Sequence, residues 1–260
     1  MHRSVSQFNQ YNKCPLSYKR DRIDREWSRP AAWLVQGSAV HTAAEAYENS
    51  NRTMSLDEMQ DVFRAAYAEE TAKYTEGPKG TPNFEWWFAS GPYKGEADLE
   101  RRFLLGLEQC ERYIRWYEAH PDERIWSAES GDRGVELGFD MDLDGVRVRG
   151  FIDAVIEQDG QVIVRDNKTG NSPGDDFQLG VYGVALVDAF GIEPPKYGDY
   201  WMGRSGKPTI AYDISHWTRD RVTEAFHELE DNIQAERFDA DPEPSKCRFC
   251  SVSFGCPEKL

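Results

Sequence analysis

The sequence has no apolar run approaching the roughly 20 residues needed to cross a bilayer. Its opening, Met-His-Arg-Ser-Val-Ser, lacks the apolar stretch of a secretory signal, so a cytoplasmic location with no membrane partner is expected. Positive charge is also scarce. With 31 Lys and Arg against 46 Asp and Glu, the formal net charge of −15 argues against a broad basic surface of the kind that grips duplex nucleic acid. An acidic protein can still meet phosphate through metal ions held by carboxylates, or through arginines lining a narrow channel. Lys19, Arg20, Arg22, Arg25 and Arg29 near the start, and Arg147, Arg149 and Arg165 further on, are the candidates for such a channel, with a solvated face as the plainer reading. Cysteine is sparse, at five residues, and disulfides are disfavoured in a cytoplasmic setting. No internal repeat is present. What remains is a chain of 260 residues, 39% hydrophobic and 30% charged, which is the balance of one soluble globular domain over 1–260.

Hydrophobic periodicity divides that domain. Residues 4 to 27 read as helix interrupted at Cys14-Pro15, and Gly37 to Tyr47 as a second helix. Ser55-Leu-Asp-Glu58 is a capping box opening a third toward Tyr74. Residues 75 to 98 form a Gly- and Pro-rich loop carrying Trp86, Trp87, Phe88 and Tyr93, and Leu99 to His120 returns to helix. The period then shortens to that of strands over Val135–Phe139, Val146–Glu157 and Gln161–Asp166, with Gln158-Asp-Gly160 as a hairpin turn between the last two. A helix over Phe177–Phe190, strands near Tyr197–Met202 and Thr209–Ile214, and a long helix over Thr218–Arg237 follow. This order predicts an α/β core over 131–239 with a helical region, 31–130, wrapped on its N-terminal side.

Cys247-Arg-Phe-Cys250 and Cys256-Pro257 put three thiols close enough in sequence to bind one soft metal centre. A fourth ligand is required, and Cys14, likewise followed by proline, is the candidate. Cys110 falls on the apolar face of a helix and reads as core. Exposed free thiols this dense would be an oxidation liability. Zinc and iron–sulfur both suit four thiolates, and the spacing does not separate them.

A second signal is Gly150-Phe-Ile-Asp153 followed, after the hairpin, by Val164-Arg-Asp166-Asn-Lys168. Residues two apart on a strand share a face, so Asp166 and Lys168 project together and a paired strand can bring Asp153 beside them. Two carboxylates and an ammonium on one face suit metal-assisted phosphodiester hydrolysis. Taken alone, Asp-x-Lys on a strand is more often a surface ion pair. Its company strengthens it: His41 on a helix, with Glu45 one turn later, and Gln178 and Tyr182 one helical turn apart. The aromatics at 86, 87, 88 and 93 suit either stacking of exposed bases or packing of their loop.

Taken in order, Ser6 to Tyr11 with Cys14-Pro15, Gly37 to His41, Gly150 to Asp153, Asp166-Asn-Lys168-Thr-Gly170, Gln178 to Tyr182 and Cys247 to Pro257 resemble the RecB-like branch of the PD-(D/E)XK nucleases. The resemblance is nearest to the CRISPR-associated iron–sulfur exonucleases and their phage-encoded relatives. It implies a core with a central mixed sheet, and His41, Asp153, Asp166 and the backbone carbonyl of Asn167 as ligands of Mg²⁺ or Mn²⁺. It further implies Lys168 as the catalytic lysine, supported by Gln178 and Tyr182. Cys14, Cys247, Cys250 and Cys256 would hold a [4Fe–4S] cluster, built jointly by residues 1–30 and 240–260. The implied activity is exonucleolytic cleavage of DNA, with single-stranded ends preferred and recombination or CRISPR-adaptation proteins as partners. A structure-specific endonuclease and a non-catalytic iron–sulfur DNA-binding protein are the alternatives.

Overall fold

Two Asp-Gly turns organise the sheet in the computed structural model, which describes residues 2–76 and 79–260. Asp144-Gly145 and Asp159-Gly160 take positive φ at both positions, 53° and 99° in the first and 51° and 73° in the second. That pairing matches the twist of the strands it joins. After a two-residue strand β1 (Arg124–Ile125), the turns link β2 (Val135–Leu143), β3 (Val146–Gln158) and β4 (Gln161–Lys168) into an antiparallel meander.

Five helices precede the meander. The predicted first helix is divided: α1 (Val5–Lys13) stops where Cys14 becomes extended before Pro15, and α2 (Pro15–Tyr18) restarts with proline in its first turn. A wider turn over Lys19–Ile23 ends the run four residues short of the expected end at 27. Next come α3 (Ala32–Asn49), α4 (Leu56–Thr75), which carries the Ser55–Glu58 capping box, and α5 (Gly95–Ala119). Beyond β4, α6 (Asp176–Phe190) crosses to β5 (Tyr197–Met202), which lies parallel to β4. The strand expected over Thr209–Ile214 is not continuous. Instead two short strands, β6 (Lys207–Pro208) and β7 (Tyr212–Asp213), pair with β5 on its side away from β4, and Ile210 between them is 93% exposed. Pro208 has no N–H to extend the ladder. Two helices, α7 (Arg219–Gln234) and α8 (Pro244–Arg248), close the chain.

The mixed sheet separates two apolar cores. Val35, Val40, Phe63 and Tyr113 from α3, α4 and α5 pack with Ala154, Ile156 and Trp201. Phe8, Phe177, Val181 and Phe226 from α1, α6 and α7 pack with Val148, Val155 and Val164. Among the described residues no helix is long and apolar enough to cross a membrane.

Candidate active site

The two hairpin registers converge on one level of the sheet. The β3–β4 ladder ends at Ala154↔Arg165, so the next residues, Asp153 and Asp166, stand where the strands part. The Asp153 carboxylate instead accepts the Asn167 backbone N–H at 2.7 Å. On the other side of β3, Val135↔Ala154 and Leu137↔Ile152 bracket Glu136 and Asp153 and set them opposite each other. Glu136 has φ +43°. A non-glycine residue held there costs on the order of 1–3 kcal/mol, a strain typical of functional sites. α3 supplies His41, whose Nδ1 lies 3.5 Å from Asp153 Oδ2 and 3.7 Å from Glu136 Oε1. One ligand atom from each of His41, Glu136 and Asp153 falls within 4.8 Å of the others. The sequence reading missed Glu136. The Asp144-Gly145 turn carried the signal, because once it is taken as a two-residue hairpin, counting back along the ladder puts 136 across from 153.

Beside this trio, Lys168 Nζ lies 2.7 Å from Asp166 Oδ2 and donates to Gln178 Oε1 at 3.2 Å. Gln178, on α6, donates through Nε2 to Asp166 Oδ1 at 2.6 Å and to the Tyr182 hydroxyl at 2.7 Å. The structure therefore joins Asp166, Lys168, Gln178 and Tyr182 in one network. Burial, with the Asp166 charge nearby, holds the Tyr182 phenol well above its ordinary range, so it stays neutral. Burial alone would depress the His41 pKa, but the charge of Asp153, the hydrogen bond His41 donates to Glu136 and the charge of Asp166 outweigh it and raise it to about 9. Burial also raises the Asp153 carboxyl, an effect that His41 opposes and Asp166 and Glu136 reinforce. A cleft of about 680 Å³, lined by Trp33, His41, Glu45, Arg102, Glu136 and Thr169 among others, opens onto this group. Carboxylate oxygens with one imidazole and no thiolate are a donor set for a hard divalent cation.

The floor of the cleft rests on buried amides. Arg102 donates to Gln36 Oε1 at 3.0 Å, Gln36 to Gln109 at 2.7 Å, and Gln109 to the Thr169 carbonyl at 3.0 Å. That chain ties α5 and α3 to the loop just after Lys168.

Most of the candidate basic channel is absent. Arg165 is buried, donating to both Asp199 oxygens at 2.7 and 2.8 Å, and also pairs with Glu123. Arg147 and Arg149 both bind Asp140, and these hydrogen bonds hold its carboxyl far below the usual range. Lys19, Arg20 and Arg22 pair with Asp24, Glu26 and Asp21. In a chain this acidic, neighbouring carboxylates neutralise the cations. The aromatic loop divides: Trp87 and Phe88 are buried, while Trp86 and Tyr93 are exposed.

Cys14, Cys247, Cys250 and Cys256 line one cavity of about 260 Å³ between the chain's two end segments. Among the described residues no three of these thiols lie within 4.8 Å of one another. The segments are joined regardless. Arg20 donates to the carbonyls of Phe254 and Gly255, and the Arg29 backbone N–H donates to Ser251. Cys110 is buried, as expected, and burial pushes its thiol up to about 12.

A family model described as the PD-(D/E)XK nuclease superfamily matches residues 2–257. The Gene 69 protein of Mycobacterium phage D29 is 52% identical over 262 residues, covering 98% of this chain and 96% of its own length. The Gene 69 protein of Mycobacterium phage L5 is 51% identical over 280 residues, with the same coverage. A crystal structure from Eubacterium rectale, described as a candidate exonuclease, aligns with TM-score 0.47 at 13% identity, over 98% of this chain and 87% of that one.

Proposed function

The chain belongs to the PD-(D/E)XK nuclease superfamily and is a metal-dependent nuclease, and from that premise we propose that it is a DNA exonuclease working from single-stranded ends. The observation that carries this reading is the meeting of His41, Glu136 and Asp153 with the Asp166–Lys168 pair at the mouth of one cleft. The residues fit a divalent cation, with His41, Asp153, Asp166, the Asn167 carbonyl and Glu136 as the ligand set. Bound there, Mg²⁺ or Mn²⁺ would supply charge for the scissile phosphate and a bound water of lowered pKa. Gln178 fixes the Asp166 carboxylate from one side while Lys168 pairs with it from the other. Tethered in this way, the Lys168 ammonium can orient an attacking water or meet the charge that develops on the phosphate. Tyr182, kept neutral, holds Gln178 in place.

Single-stranded ends are favoured because a chain at −15, with its arginines largely paired, offers duplex DNA no wide basic face. The cavity that Cys14, Cys247, Cys250 and Cys256 share would be the place for a [4Fe–4S] cluster joining residues 1–30 and 240–260. A reducing cytoplasmic setting would keep those thiols available. A role in recombination, repair or CRISPR-type processing, with protein partners to match, rests on the family resemblance alone. The test compares linear with covalently closed circular single-stranded DNA of one sequence, with Mn²⁺ or Mg²⁺ present. Degradation of the linear form only, abolished by chelation, is expected. Equal loss of the circle would replace the exonuclease with an endonuclease.

A further inference from the structure

Three exposed aromatics outside the carboxylate site, Trp86, Phe249 and Phe254, lie along one run of contacts. Trp33, on the wall of the cleft, packs its ring 5.5 Å from Phe88 and 6.2 Å from Phe249. Phe249 is 50% exposed and carries the Arg248 guanidinium 5.3 Å from its centroid. Arg29 also meets Phe88, its guanidinium 4.8 Å from the ring centroid, and donates to the carbonyls of Trp86 and Trp87. Arg29 also lines a second groove, of about 250 Å³, together with Trp27, Trp86, Phe254 and Lys259. In that groove Trp86 is 56% exposed and Phe254 70%, the latter edge-on to Trp27 at 6.0 Å. Its one carboxylate, Glu85, is paired with Lys94 at 2.9 Å. Lys259 makes no ion pair among the described residues.

We propose that this run of aromatics and cations, from Trp33 through Phe249 and Arg29 to Trp86 and Phe254, is the track along which a single nucleic-acid strand approaches the cleft. The inference rests on the nuclease reading of the carboxylate site and adds where the rest of the strand lies. Exposed ring faces interleaved with guanidinium and ammonium groups match a single strand, whose unpaired bases stack on any ring while its phosphates meet the cations. A duplex buries those base faces and has no use for the rings. The track is continuous with the cleft at Trp33, so one strand can occupy both. It also accounts for aromatic side chains left in water at 254 and 86, where packing would have covered them.

The test uses the full chain, loaded as purified, with binding and cleavage read separately. Affinity for a fluorescein-labelled 20-mer of thymidine is measured by anisotropy with Ca²⁺ present, for the wild type, Trp86→Ala, the Trp86→Ala/Phe254→Ala pair and Lys259→Ala. The double variant is expected to bind about tenfold more weakly, with Trp86→Ala alone giving part of that loss. Lys259→Ala should reduce the slope of log affinity against log salt by about 0.7, the contribution of one phosphate contact. A hairpin duplex should be bound poorly by wild type and variants alike. Wild-type affinity in the double variant, or an equal loss for duplex and single strand, would overturn the track. Trp86→Ala lies outside the cysteine segment, so it reports on stacking even if Phe254→Ala disturbs that segment. Binding of the 20-mer without cleavage under Mn²⁺ would reject the nuclease reading and leave the track standing. Cleavage with unaltered variant binding would do the reverse.

Discussion

At Lys168 the ammonium is divided between Asp166 Oδ2 and Gln178 Oε1, so removing it should alter the chemistry more than the metal site. Lys168→Ala is expected to lower kcat by roughly 100- to 1,000-fold, the usual cost of losing one preorganised charge partner, with Mn²⁺ affinity nearly unchanged. Glu136→Gln should do the opposite. It leaves Lys168 in place and weakens Mn²⁺ binding by about tenfold or more, so activity returns when Mn²⁺ is raised. A metal titration of initial rates separates the two, and a Glu136→Gln enzyme with wild-type metal demand would remove Glu136 from the ligand set. The same residues set a pH dependence for the metal-free protein. His41 is raised from an ordinary 6.5 to about 9, and Asp153 is also raised. Both folded-state values exceed the unfolded ones, so protonation favours the folded chain. The contribution from His41 is complete below about 6.5 and is lost as pH rises through about 9. Melting temperature measured in chelator should therefore fall across that window. The fall should flatten in His41→Gln, and an unchanged slope there would place the titrating group elsewhere.

Between elements, the closest approach described is at Gly106 on α5, where an added Cβ would lie 2.2 Å from Phe63 Cζ on α4. Phe63 is fully buried. Gly106→Ala should cost about 1–3 kcal/mol through overpacking, seen as a lower denaturation midpoint with an unchanged m-value. A neutral result would mean that the α4–α5 contact yields more easily than its packing implies. Elements were legible in the sequence where local chemistry decides them: the Ser55 capping box, the Asp159-Gly160 turn, and the alternation that makes β3 and β4. Asp153, Asp166 and Lys168 could be read as neighbours for that reason. Glu136 was hidden because its place depends on a second turn and on a positive φ within a strand, which no periodicity reveals. The Thr209–Ile214 segment was misread because its β-rich composition outweighed the missing N–H at Pro208. Arg165 looked like a phosphate contact because its partners, Asp199 and Glu123, lie far away in sequence and only the folded sheet gathers them.

Over the whole molecule, the distinctive connection is between the two ends. If a [4Fe–4S] cluster fills the cavity of Cys14, Cys247, Cys250 and Cys256, protein purified without oxygen should be brown and carry about four iron and four sulfide per chain. Cys256→Ser should then lose iron and melt at a lower temperature. Stoichiometric zinc in colourless, active protein would remove the iron while keeping the ligands. The direct hydrogen bonds from Arg20 and Arg29 to residues 251–255 act whether or not a cluster is present, and they bear on how the protein is made. During synthesis, residues 20 to 33 leave the ribosome long before 249 to 255 exist, so Trp33 has no Phe249 to pack against until that later segment emerges. A nascent chain that lacks residues 249 to 255 should therefore carry its carboxylates while its N-terminal segment is still undocked. Ribosome-stalled chains ending near residue 240 should be digested readily by protease at their N-terminal segment, and chains extended through residue 260 by a linker should resist. Equal resistance would show that the first thirty residues dock without the last twenty.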